Sequence, residues 1–260
     1  MYCNVILQVR LMESQSDENK IISREYHSFQ NLINMLDAYT EDLIDLSSSF
    51  IVSLRSSKIK DSVGEKKFNK WYSSLGEIVD GYFQFQETGK LAIEKSMSFN
   101  FCHSDILFPL FLRLNIKNIF NEIRDSVNNG EIDGDELPRL KQLIEFGTII
   151  EQHRKGLALI GDGALDLALF NDHSSRIVEI RSWASDLDKL RQKNLKNEKL
   201  AKIYDSLGLD DLVVPKKTDK DNQDITGHDQ KGTIIEAIFG LMYLESDLDT
   251  VTSNAVKMLT

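Results

Sequence analysis

Cysteine is almost missing from this chain. Cys3 and Cys102 are the two in 260 residues, too few for a disulfide framework, so a reducing, cytoplasmic setting is expected. Proline is as sparse, with three, which leaves long stretches free to run as helix. Long apolar runs are lacking too. None reaches the roughly 20 residues that a membrane-spanning helix needs, and the N-terminus has no basic-then-apolar leader pattern, so no membrane partner is expected. Positive charge is in deficit: 31 Lys and Arg stand against 41 Asp and Glu, a net charge of −10. That excludes a generally basic nucleic-acid binder and confines any RNA contact to a local patch. The five histidines are scattered, and Cys102-His103 has no second pair at zinc spacing. The turn 128–136 lacks the EF-hand pattern, as does 219–224, which has neither the glycine at the required place nor a closing glutamate, and both read as solvated loops.

What the chain does have is helical periodicity, and the fold class expected is all-α. An apolar piece, Val5 to Leu11, opens the chain. From about Ser23, apolar residues recur at Phe29, Leu32, Leu36, Tyr39, Leu43, Leu46 and Phe50, alternating steps of three and four as in a heptad seam. After a polar break from Arg55 to Val63, the same alternation returns at Phe68, Trp71, Leu75, Ile78, Tyr82 and Phe85. Two matching seams across a short link predict an antiparallel helical hairpin. The pattern weakens around Ser96 to Ser104, which divides the chain into an N-terminal helical region, 1–103, and a second domain, 104–260. In the second, helices are expected from Ser104 to Val127, with Pro109 in the first turns, and from Leu137 to Ile150. Others are expected over Leu157 to Phe170, within Arg176 to Leu207 with Gly208 as C-cap, and from Leu248 to Leu259.

Leu157 to Phe170 is apolar on nearly every face, yet holds Asp162 between two glycines. A carboxylate there is costly unless a positive group answers it, and each interior glycine costs about 1 kcal/mol relative to alanine. A second helix, Thr233 to Leu244, repeats the arrangement, with Glu236 on the face of Thr233, Gly240 and Tyr243. If the two helices pack together, the carboxylates meet. Two such groups cannot both stay ionised and unpaired in a dry interior. Either a proton or cation is shared there, or each finds a basic partner: Lys155, on the stripe of Asp162, is the structural candidate and a magnesium ion the functional one, since Mg²⁺ takes one or two protein carboxylates plus waters and phosphate. Between Lys189 and Lys202 lie six basic residues and one acid, Glu198. That run is either a solvated helix face or a phosphate-contacting strip.

These residues resemble the ribonuclease III domain. Its signature helix reads Glu-Arg-Leu-Glu-Phe-Leu-Gly-Asp-Ala-Val-Leu, and Leu157-Ala-Leu-Ile-Gly161-Asp162-Gly-Ala-Leu165 is similar to its second half. Its other signature, Asp-x-x-Glu-Ala-Leu-Ile-Gly-x-x-Tyr-Leu, is similar to Thr233-Ile-Ile-Glu236-Ala237-Ile-Phe-Gly240-Leu-Met-Tyr243-Leu244. Leu190 to Ala201 and then Leu207-Gly-Leu resemble the family's middle helix. The resemblance covers Leu137 to Leu259. Where the larger family has further acids, this chain has Ala158, Lys155 and Thr233. The short Mini-III branch, whose members are active nucleases, resembles it there. The resemblance implies a homodimeric endoribonuclease acting on double-stranded or structured RNA. Asp162 and Glu236 would be catalytic and would hold Mg²⁺ or Mn²⁺. Lys189, Arg191, Lys193, Asn194, Lys196 and Lys199 would contact RNA, with Lys155, Asp166 and Thr233 as auxiliary positions. Two other readings fit the same residues: a catalytically silent fold that binds RNA or a ribonucleoprotein, and a helical interaction protein whose hairpin carries the function.

Overall fold

The structure, a computed structural model, describes residues 17–56, 58–112, 115–132, 137–174, 183–214 and 227–259. The apolar piece Val5 to Leu11, the loop residues 215–226 and the start of the helical stretch expected from Arg176 lie outside the described residues.

The two heptad seams form a hairpin. Helix α1 (Asp17–Ser56) leads into the short α2 (Ile59–Val63), and Gly64, at φ 83°, turns the chain into α3 (Glu65–Gln84). On α3 the expected seam is the buried one: Trp71, Leu75, Ile78 and then Phe85 are almost inaccessible. On α1 the expectation needs correcting by one position. Leu36, Leu43 and Phe50 are buried as expected, but the other half of the column is Ile33, Thr40, Ser47 and Leu54. Leu32, Tyr39 and Leu46 are only partly buried, and Phe29 is exposed. The physical reason is visible at Thr40, whose hydroxyl donates to the Leu36 carbonyl at 3.0 Å. Satisfied within its own helix, a small polar side chain enters the core at little cost, and a count of apolar residues passes over it.

Beyond α3 the chain makes a π-helical turn (Phe85–Gly89) and then α4 (Lys90–Met97). The helix expected from Ser104 to Val127 is in fact two elements, a 3₁₀ helix (Ser104–Phe111) and α5 (Asn115–Asn128). Every side chain from Ile106 to Phe111 is buried, so the segment has no solvent face, and Pro109 within it cannot donate an α-helical hydrogen bond. Its carbonyls find donors elsewhere. His153 Nε2 donates to the Ile106 carbonyl at 2.9 Å, and Arg154 Nη2 donates to those of Pro109 and Leu112 at 3.3 and 2.5 Å. Burial pushes the His153 imidazole down to about 4, so this donor works as a neutral ring.

His153 and Arg154 belong to α6 (Leu137–Ser174), a second correction: the two helices expected over this range are one helix of 38 residues. No proline interrupts it after the first turn, and an interior glycine such as Gly156 is tolerated at about 1 kcal/mol. Helix α6 is the central element, with α1, α5 and the 3₁₀ helix packed on it. There follow α7 (Trp183–Asn194) and α8 (Asn197–Ser206), the latter closed as expected by Gly208 at φ 65°. A second 3₁₀ helix (Leu209–Leu212) leads to Val214, whose N–H donates to the Phe111 carbonyl at 3.0 Å. Helices α9 (His228–Glu245) and α10 (Leu248–Leu259) complete the chain and also pack on α6. The fold is all-α, with no strand among the described residues beyond the single bridge Leu112–Val214. One cluster of buried side chains runs from Ile33 to Leu259, across the division expected near residue 103.

Candidate active site

Helices α6 and α9 cross where each has a glycine. A Cβ built on Gly161 would lie 1.7 Å from the Glu236 carbonyl oxygen, and one built on Gly240 would lie 2.1 Å from that of Leu157. The two backbones therefore touch with no side chain between them. That accounts for Gly161, whose cost in helix propensity is offset by close packing. Gly163 has a different environment, with nothing within 4 Å of a Cβ placed there.

The crossing brings the two carboxylates to one groove. Asp162 follows Gly161 on α6, and Glu236 lies one turn before Gly240 on α9. Both line a cavity of about 470 Å³ with Lys155, Ala158, Leu159, Arg191, Lys196 and Thr233. Gln192, Leu195 and Asn197 complete the lining. These three were not singled out from the sequence, although Gln192 follows Arg191 and Leu195 and Asn197 flank Lys196.

The expected dry interior is not what surrounds Asp162. Its side chain is 39% exposed, and Arg191 answers it as an ion-pair partner. Arg191 Nη2 donates to Asp162 Oδ2 at 3.3 Å, while its Nε donates to Asp166 Oδ1 at 2.7 Å. Asp166, and Asp162 after it, strengthen the hold of the guanidinium on its proton. Glu236 has no hydrogen-bond or ion-pair partner among the described residues. Burial, reinforced by the negative charge of Asp162 and opposed by Arg191, pushes its carboxyl up to about 7. Thr233 directs its hydroxyl to the Asp229 carbonyl at 2.8 Å, within its own helix.

The residues of the basic strip differ in their surroundings. Lys189 is exposed and lies 3.6 Å from Asp186. Arg191 is engaged with the two aspartates. Lys193 is exposed, and Lys196 is exposed where it lines the groove. Asn194 is buried and accepts a hydrogen bond from Lys199 Nζ at 2.7 Å; the same ammonium also donates to the Leu259 carbonyl. Lys199 and Asn194 thus tie α7 and α8 to the end of α10. Lys155, Arg191 and Lys196 are the cations that face the groove.

No group of three or more His, Cys, Asp or Glu side chains among the described residues is placed to share a metal ion. The two groove carboxylates nevertheless fit a single Mg²⁺. They are hard oxygen donors on helices that cross, Glu236 has no hydrogen-bond or ion-pair partner among the described residues, and burial with the charge of Asp162 raises its proton affinity. Mg²⁺ usually keeps several waters and completes its shell with phosphate oxygens.

Residues 155–247 match the family model of the ribonuclease III domain, a span that holds α6 from Lys155 onward, α7, α8 and α9. The match supports placing these helices in that family. No curated protein and no solved structure matches the chain.

Proposed function

We propose that the protein is a ribonuclease III-type endoribonuclease that cleaves double-stranded or structured RNA with Mg²⁺ or Mn²⁺, nearest in motif pattern to the Mini-III branch. The observation that carries this reading is the meeting of Asp162 and Glu236 in one groove at the α6–α9 crossing, inside the matched span. These two side chains would hold the ion, which when bound supplies Lewis-acid polarisation of the scissile phosphate. The protein's own residues do the rest. Lys155 and Lys196, exposed at the groove, offer charge to the RNA backbone, which a duplex presents by shape and not by sequence. On a chain of net charge −10 the groove is the exception, with three cations lining it against two carboxylates. The Gly161–Gly240 contact fixes the helices that carry Asp162 and Glu236, so both groups are positioned before substrate arrives.

A second copy of the chain is the other partner we propose. Leu159 and Leu167 on α6 are 75% and 52% exposed, with Gly163 open between them. Such an apolar stripe on a solvent-facing side of the helix favours self-association. We place the protein in the cytoplasm, the reducing setting that suits a chain with two cysteines.

One observation favours a second reading, a silent fold that binds RNA without cutting it. Arg191 already engages Asp162 and Asp166, while Ala158 and Thr233 bring no acid to the groove. A single assay separates the readings. The parent and Asp162→Asn are incubated with a long RNA duplex and Mg²⁺, and the products are resolved by electrophoresis. Cleavage by the parent, reduced about a hundredfold or more in the variant, is the expected result. Retarded but intact RNA in both lanes would favour the silent fold, and RNA neither retarded nor cut at low salt would reject both.

A further inference from the structure

Arg191 divides one guanidinium between two carboxylates one helical turn apart. The bond from Nε to Asp166, at 2.7 Å, has the length of a strong ionic hydrogen bond. The contact from Nη2 to Asp162, at 3.3 Å, is long for one. Asp162 therefore holds the looser end. The Arg191 side chain is 46% exposed and lines the groove beside Lys196.

We propose that Arg191 is an exchange residue, closing Asp162 to a divalent cation in the free protein and passing to an RNA phosphate when RNA enters the groove. The inference rests on the reading of the groove as an RNA-cleaving site and adds an order of events to it. Guanidinium is not deprotonated in proteins, so the only way to clear Asp162 is to move the side chain. A phosphate offers two oxygens in the geometry of the guanidinium fork, whereas each carboxylate here receives a single bond. Ion pairs this exposed are weak in water, so the exchange costs little. Lys155 and Lys196 help hold the incoming phosphate. Linkage then requires RNA and the cation to strengthen each other's binding.

The test measures each half of the exchange separately on the full chain. Mn²⁺ binding, read by electron paramagnetic resonance without RNA, is compared among the parent, Arg191→Ala, Arg191→Lys and Glu236→Gln. Arg191→Ala is expected to bind Mn²⁺ about tenfold more tightly than the parent. Arg191→Lys, which keeps the charge and loses the fork, is expected to fall between them. Affinity for a fluorescent RNA duplex, read by anisotropy in EDTA, is expected to drop about fivefold in Arg191→Ala. Unchanged Mn²⁺ affinity in Arg191→Ala overturns the exchange, as does unchanged RNA affinity in EDTA. Arg191→Lys indistinguishable from the parent in both assays also overturns it, leaving bulk charge alone. Mn²⁺ bound equally by the parent and Arg191→Ala but lost in Glu236→Gln would sink the exchange and leave the cleavage site standing. Absence of Mn²⁺ binding in every protein would sink both.

Discussion

A methyl group at Gly161 would fall 1.7 Å from a backbone oxygen of α9, and the same group at Gly163 would meet nothing within 4 Å. Gly161→Ala should therefore force the two helices apart and lower stability by about 3 kcal/mol or more. Gly163→Ala should raise it by about 0.5–1 kcal/mol, because only helix propensity changes. Urea denaturation of the two variants checks both signs. Glu236 carries a pH dependence of known direction. Its carboxyl is raised from the ordinary 4.5 to about 7 in the folded protein, so between these values the folded state binds more protons than the unfolded one. The contribution to stability is complete below pH 4.5 and is lost as pH rises through about 7. Glu236→Gln removes this loss. Relative to the parent it should melt higher at pH 8 than at pH 5, by an amount on the order of 1 kcal/mol once the water reaching the groove is allowed for. Equal differences at the two pH values would refute the assignment.

Among elements, the segment joining the hairpin to the first 3₁₀ helix is held by an acid from the far end of α9. Glu245 is buried, with its carboxyl raised by that burial, and it accepts the backbone N–H groups of Cys102 and His103 at 2.7 and 2.8 Å. His103 Nδ1 in turn lies 3.4 Å from Asp37 on α1. Glu245→Ala should cost about 2 kcal/mol, since two donors lose a charged acceptor, and thermal unfolding at pH 7 measures it. Helix α10 could be read from the sequence to its ends, whereas α9 begins at His228, five residues before the expected Thr233, because His228 to Gly232 is polar and no side-chain cap marks the start. The 3₁₀ helix could not, because Ile106 to Phe111 is buried on all sides and periodicity has nothing to register. The exposure of Asp162 was hidden for a related reason. Leu159 and Leu167 make α6 look like plain core, yet both face solvent, so composition overstated burial. The identity of its partner depended on how α7 docks against α6, 29 residues along the chain, and no spacing rule reaches that far.

At the scale of the whole molecule, the hairpin and the ribonuclease III-like helices share one interior. Tyr82 packs edge-on against Phe108 with ring centroids 5.3 Å apart, and Phe85 meets both Phe108 and Phe111. Val214 and Leu212 press on Gly81 and Gly89 so closely that a Cβ at either glycine would lie 2.4 or 2.8 Å from them. Lys67 adds a 3.0 Å ion pair to Glu131, beyond the end of α5. Residues 104–260 produced without the hairpin would expose these faces. The fragment should aggregate, or bind a hydrophobic dye and lack a cooperative melt, while the full chain unfolds in one transition. A soluble fragment with a sharp calorimetric transition would show instead that the second domain stands alone.

The glycine contact between α6 and α9 also determines which changes can reach the groove. Side chains in a core are deformable spacers: they change rotamer, swell on heating and repack around a substitution. Two touching backbones have no such freedom. The offset between the backbones that carry Asp162 and Glu236 is thus set by direct contact, as in a joint machined without a gasket. Variation elsewhere in the interior is free to alter how long the fold survives heat without altering the backbone spacing from which the two carboxylates project.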